Sequence, residues 1–184
     1  MNTMMIWRFV FVMLAAFSLF SCGSDTPEWA DPEVHEKTER LREQYTPFVV
    51  GTWHFEKVGE KQRAFEQLTF NADGTLSGWR IWQTRQVATI DGREQYTDWE
   101  YLSQPNGHFT GTWSLCWERN VEGVGENRLF LNADYDETDI VTYKPYSAIA
   151  LFDYADATNL RFAGYWQDTN GWTNYERGSA EPSF

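Results

Sequence analysis

Two cysteines, three histidines and fifteen basic residues against twenty-seven acidic ones show what this 184-residue chain has little of. Each shortage excludes something. A formal charge of −12 at pH 7 repels nucleic acid and anionic lipid surfaces, so neither is expected as a partner. The few His and Cys form no H-x-x-x-H or C-x-x-C spacing, and no G-x-S-x-G or glycine-rich phosphate loop is present. The common metal, acyl-transfer and nucleotide chemistries therefore have no local signature, and no cofactor or metal is expected. A membrane-crossing helix needs roughly 20 apolar residues; the long run here, Phe9 to Phe20, is only a dozen.

That run follows Arg8, the only charge before it, and leads into Leu19-Phe20-Ser21-Cys22. A short cationic segment, an apolar stretch and a small residue before the cut describe an export signal over residues 1–21. Leu-x-Ser followed by cysteine resembles the bacterial lipobox. The resemblance implies that Cys22 becomes the mature N-terminus, acylated with palmitate-type chains; the other reading is ordinary secretion with a free Cys22. Each buried CH₂ contributes about 0.8 kcal/mol, so several chains together hold the protein firmly to the membrane. Gly23 is not an acidic inner-membrane retention signal, so an outer-membrane lipoprotein of the cell envelope is expected, on either leaflet. Loss of residues 1–21 leaves 163 residues and, with Arg8 gone, moves the charge from −12 to −13. That length suits one domain. With Cys22 acylated, Cys116 lacks a partner, and no intramolecular disulfide is expected. Stability then rests on packing, for which ten Trp, nine Tyr and thirteen Phe supply area.

Residues 22–30 read as a polar tether, and residues 31–184 as one domain. Asp31-Pro32 is an N-cap followed by proline in the first helical position, with Glu33 in the first turn. Val34, Leu41 and Tyr45 form a thin apolar stripe on a helix from Pro32 to Gln44, which Thr46-Pro47 ends. From Phe48 the period changes from 3.6 to 2. Asn71-Ala72-Asp73-Gly74 is turn chemistry between two strand-like runs and predicts a hairpin. Asp91-Gly92, Pro105-Asn106-Gly107 and Asn170-Gly171 are further turn signals. Expected strands are 49–58, 64–71, 75–83, 95–102, 108–118, 128–132, 147–154 and 159–168, with 139–144 as a ninth candidate. The fold class is all-β: an antiparallel barrel of eight or nine strands preceded by one short helix, with a sandwich as the other architecture.

Gly51-Thr52-Trp53 returns as Gly111-Thr112-Trp113, and Gly164-Tyr165-Trp166 comes close. The spacings, 60 and 53 residues, and the unlike flanks argue against a tandem repeat. Alternation instead gives the sites one logic: a glycine two residues from an inward Trp, making room for the ring and for the coiling of a small barrel. Gly51, Trp53 and Phe55 share a face opposite Thr52, His54 and Glu56. Phe109, Gly111, Trp113, Leu115 and Trp117 share one opposite Cys116, and Leu160, Phe162, Gly164 and Trp166 share a third.

Val50-Gly51-Thr52-Trp53, Leu68-Thr69-Phe70-Asn71-Ala72-Asp73-Gly74-Thr75, Gly111-Thr112-Trp113-Ser114 and Leu129-Phe130-Leu131 resemble, in that order, the lipocalin-like (calycin-type) domains of bacterial surface lipoproteins. The resemblance covers roughly residues 48–132. It implies that Trp53 closes the barrel bottom as a structural residue, that an arginine of the last strand packs over it, with Arg161 as candidate, and that a small apolar or amphiphilic ligand occupies the barrel. Phe55, Phe70, Trp113, Leu115, Trp117 and Phe162 are the lining candidates.

Groups for catalysis are sparse, and a non-enzymatic role is expected. His35 lies on the helix, His54 on an outward strand face and His108 after a turn. A His54–carboxylate pair is weighed against a solvent-facing histidine, which is favoured. Cys116 reads as a small packed residue, not a nucleophile. Asp134, Asp136, Glu137 and Asp139 offer oxygen ligands, but Asp139 stands where an EF-hand needs glycine, so a solvated turn is favoured. Trp79 and Trp82 fall on opposite faces of one strand. With Trp99 they define the alternative function: a glycan- or protein-binding module whose barrel is filled and whose exposed aromatic residues do the binding.

Overall fold

The computed structural model describes residues 31–101, 106–136, 146–164 and 167–184; Cys22 and the expected signal and tether lie outside them, as does the 139–144 candidate. Helix α1 (Pro32–Val49) comes first. The Asp31 carboxylate caps it, accepting from the amides of Glu33 at 3.0 Å and Val34 at 3.3 Å. The helix outruns its expected end at Gln44. Pro47 sits inside the last turn, which the Val50 amide closes by donating to the Thr46 carbonyl at 3.0 Å. Complete burial of Val49 explains the difference: packing of the final turn outweighs the local bias before a proline. No helix among the described residues is long and apolar enough to cross a membrane.

Among the described residues eleven strands follow: β1 (Gly51–Val58), β2 (Gln62–Phe70), β3 (Thr75–Thr84), β4 (Val87–Ile90), β5 (Arg93–Tyr96), β6 (Glu100–Tyr101), β7 (Gly107–Arg119), β8 (Gly125–Tyr135), β9 (Tyr146–Ala155), β10 (Asn159–Phe162) and β11 (Thr173–Arg177). Eight of them close an antiparallel barrel in the order β1-β2-β3-β7-β8-β9-β10-β11, with β11 pairing back onto β1. Each strand neighbours the next in the chain except that β4–β6 intervene between β3 and β7. The all-β barrel with one preceding helix is what the alternation predicts.

Several boundaries differ from the expectation. The run expected as 95–102 is divided between β5 and β6. β4, which the alternation did not reveal, pairs with β5 as a separate hairpin. Its turn is Asp91-Gly92, both with positive φ, 51° and 73°, the conformation that two-residue hairpins favour. β6 adds to the upper end of β3. The strand expected over 159–168 stops at Phe162, and β11, short and with Tyr175 as its one large apolar side chain, is an addition.

β7 pairs with β3 only from Gly107 to Thr112, so its second half projects past β3 with an open edge. Helix α1 covers that edge. Arg42 Nε donates to the Leu115 carbonyl at 3.0 Å, and the Thr38 hydroxyl meets the Trp117 amide at 3.1 Å. These contacts satisfy backbone groups that a bare edge would expose, and they account for a buried Thr38 on the helical stripe. Tyr45 packs edge-on against Phe152, centroids 5.1 Å apart. Arg119, at the far end of β7, pairs with Asp31 and Glu33 and ties down the start of the helix.

Candidate functional site

The two fully described G-x-W sites stand at one end of the barrel and serve as scaffold. Trp53, with no exposed surface, donates from Nε1 to the Val49 carbonyl at 2.7 Å. Trp113 donates from Nε1 to the Asn71 carbonyl at 3.0 Å, fastening β7 to the β2–β3 hairpin turn. At Gly111 a Cβ would come within 2.0 Å of the Asn132 carbonyl oxygen; the glycine lets β8 approach. The arginine over Trp53 is Arg177, its Cζ 4.9 Å from the ring centroid, and not Arg161. Arg161 pairs with Asp153 and lies over Tyr154 at 4.9 Å. In the third site Tyr165 and Trp166 lie outside the described residues.

The six candidate lining residues fall into two groups. Phe70, Trp113, Leu115 and Phe162 are at most 6% exposed and belong to one continuous core. Phe70 and Trp113 meet edge-on at 5.2 Å, and Phe162 stacks on Tyr175 at 4.8 Å. A side chain with almost no surface open to a water-sized sphere faces other side chains, not a void. Phe55 and Trp117 are half-buried. Phe55 tilts against Tyr175 at 5.9 Å. Trp117 sits at the helix end of the barrel under Lys37, whose Nζ is 4.2 Å from its centroid, with its ring edge filling the space that Gly125 leaves.

Above this apolar filling lies a polar layer that alternation did not single out. Register places Phe55, Glu66 and Arg80 side by side on inward positions of β1, β2 and β3. Arg80 pairs with Glu66, and Tyr175 Oη donates to the other Glu66 oxygen at 2.5 Å. Both members of the pair are at least 96% buried, at 4% and 3% exposure, so mutual charge and hydrogen bonding must offset their desolvation. Trp82 occupies the next inward position of β3 and is half-buried.

Trp79, Trp82 and Trp99 have distinct surroundings. Trp79 faces outward between Phe65 at 4.8 Å and His108 at 5.9 Å, opposite in direction to Trp82. Trp99 lies outside the barrel wall with two guanidinium groups over it, Arg63 at 4.3 Å and Arg85 at 4.4 Å. Arg85 also covers Tyr96 at 4.1 Å, and Arg63 covers Phe184 at 4.4 Å. Burial, and then the charge of Arg85, push the Arg63 guanidinium below its ordinary pKa. Neither arginine stood out in the sequence, since nothing in their spacing brings 63, 85 and 99 together; only the β2–β3 register and the β4–β6 excursion do.

A recess of about 330 Å³ opens between the outer faces of β1, β2 and β11 and the C-terminal segment. His54, Glu56, Glu176 and Glu181 line it over Phe65. His54 Nδ1 is 2.9 Å from the Gly178 carbonyl, so it contacts the C-terminal segment and no carboxylate is its partner in that bond. His35 and His108 are exposed. No group of three or more His, Cys, Asp or Glu among the described residues is arranged to hold a metal ion. Asp134 and Asp136 are exposed; Asp134 belongs to β8, opposite Thr110, and Glu137 and Asp139 lie outside the described residues. Cys116 is 1% exposed beneath α1. It is disulfide-bonded, which corrects the expectation that no intramolecular disulfide is available. Comparison with known proteins gives no match among family models, curated proteins or solved structures.

Proposed function

We propose that this chain is a lipid-anchored envelope protein without a reaction of its own, binding a glycan through the outer wall of a filled barrel. The observation that carries this reading is the burial of Phe70, Trp113, Leu115 and Phe162 against one another, which leaves the lower barrel no room for a ligand. Binding energy must then come from the surface, and Trp99 with Tyr96 and Tyr101 supplies rings of the kind sugars stack on, Tyr101 being 49% exposed. Affinity electrophoresis through gels containing soluble neutral or acidic polysaccharides tests it. Retardation by at least one class, lost in Trp99→Ala, supports the reading; free migration through all of them refutes it.

A second reading keeps a small amphiphile as ligand, held at the open end. It rests on half-buried Phe55 and Trp82 above the Glu66–Arg80–Tyr175 layer, an apolar rim over a polar floor. Anchoring is proposed through acylated Cys22 in the outer membrane, as in lipocalin-like lipoproteins. The sequence has only two cysteines, so the disulfide at Cys116 and acylation of Cys22 are alternatives, and the anchoring proposal holds for the form in which Cys22 carries lipid.

A further inference from the structure

The chain is strongly acidic, yet on the outer wall of β2 and β3 two arginines converge on one indole. Arg63 and Arg85 lie within 4.4 Å of the Trp99 centroid. Among the described residues each commits a single guanidinium nitrogen to a hydrogen bond: Arg63 Nε donates to Gln83 Oε1 at 2.7 Å, and Arg85 Nε donates to the Glu60 carbonyl at 2.6 Å. Among the described residues neither pairs with a carboxylate. The nearby Glu60 carboxylate accepts from Tyr96 Oη at 3.1 Å instead, and Glu94, Asp98 and Glu100 are exposed acids of the same excursion.

Two like charges held side by side without a direct carboxylate partner disfavour each other, as the effect of Arg85 on Arg63 shows, and an anionic ligand relieves that repulsion. The Nε bonds and the ring contacts fix both guanidinium planes, so their Nη donors stay available in fixed positions. That arrangement suits an oxyanion with two or more oxygens, which a guanidinium fork grips bidentately. The surrounding rings suit the flat face of a sugar. Tyr101 enters next to the pair, opposite Gln83 in the register, and its exposed ring extends the platform.

We infer that Arg63, Arg85 and Tyr101, arranged around Trp99, form a binding site for an anionic sugar residue, its carboxylate or sulfate gripped by the arginines and its ring stacked on exposed Tyr101. The inference rests on the surface-binding reading and names its ligand class. Net charge cannot mimic it: a chain this acidic is repelled by a polyanion everywhere except at a local site.

The test uses the full mature chain in affinity electrophoresis and calorimetry against polygalacturonate, dextran sulfate and neutral dextran. The uronate arm and the sulfate arm distinguish the two oxyanions, and neutral dextran is the control. Arg63→Gln and Arg85→Gln should each weaken polyanion binding at least about tenfold, as loss of a charged hydrogen bond implies, with unchanged thermal midpoints. Arg85→Lys should recover only part, because an ammonium lacks the fork. Should Arg63→Gln fail to fold, Arg85→Gln, whose side chain contacts Tyr96, Trp99 and the Glu60 carbonyl, carries the test alone. Equal retardation by neutral dextran, or polyanion binding indifferent to both substitutions, overturns the inference while leaving the surface-binding reading intact. No retardation by any polymer overturns both.

Discussion

The Arg177 guanidinium lies 4.9 Å over the Trp53 ring and donates to the carbonyls of Phe48 at 3.0 Å and Val50 at 2.9 Å. With Trp53 Nε1 on the Val49 carbonyl, the last strand and the first strand together cap the end of α1, whose own last turn carries no basic residue. At Gly51 a Cβ would stand 2.8 Å from Arg177 Nη2, and φ there is +141°, so the glycine makes this closure sterically feasible. Arg177→Ala should cost about 1–2 kcal/mol, less than the cation–π contact and the two charged hydrogen bonds would give if buried, because all three are exposed to water. Arg177→Lys should recover less than half, because a single ammonium cannot reach both carbonyls over the ring. Urea midpoints for the three proteins check this.

The Glu66–Arg80 pair predicts a different pattern. Removing either partner leaves a charge buried, so Glu66→Leu or Arg80→Met alone should lower stability by about 3–5 kcal/mol. The double variant should be markedly more stable than either single one, since an apolar pair of similar volume leaves no orphaned charge. A double-mutant cycle on the same denaturation assay reads the coupling. Additive losses would show that the two groups do not depend on each other.

Acid sensitivity follows from the exposed carboxylates. The bond to Arg119, with the Val34 amide, holds Asp31 below its ordinary value of 3.8. The bond to Lys37 holds Glu33 below 4.5, and turn hydrogen bonds from Thr75 and from Thr158 lower Asp73 and Asp156. Depressed folded values mean that the unfolded chain binds more protons in this range. The stability these groups contribute is therefore present above about pH 4.5 and lost as pH falls through the folded values. Denaturant midpoints from pH 7 to pH 2.5 should decline only in the lower part. Arg119→Gln should flatten that decline, because Asp31 loses the partner that depresses it most.

Much of the fold was legible in the residues. Alternation identified the inward faces of β1 and β7, Asp31-Pro32 identified the helix start, and Asn71 to Gly74 the hairpin. What escaped detection depended on tertiary contact. The helix passes Pro47 because Val49 is buried, Thr38 is buried because an overhanging strand needs a partner, and β11 has too few apolar residues to announce itself. Among site residues, Trp53 was visible from its motif, whereas Arg177, Glu66, Arg80, Arg63 and Arg85 were not. Charged side chains look like solvated surface in a sequence, and only register brings them together.

Lipid attachment has its own test. Cys22→Ala should move the protein from the membrane pellet to the soluble envelope fraction. Intact-mass measurement of the native membrane form should show acyl chains on the N-terminal cysteine. A variant that stays in the membrane pellet contradicts acyl anchoring, and so does a native form carrying a disulfide and no lipid.

The claim on which the account turns is that the barrel is filled to its polar layer, so that binding happens outside it. Titration of the mature protein with a fluorescent fatty acid, followed by quenching of tryptophan emission, measures this directly. A ligand inside the lower barrel would touch Trp113 and reach Trp53. A filled barrel gives no saturable quenching, and a stacking glycan changes the emission only while Trp99 is present. Saturable, stoichiometric quenching by the fatty acid that persists in Trp99→Phe, but vanishes when Phe70 or Phe162 is replaced by a bulkier Trp, would contradict it.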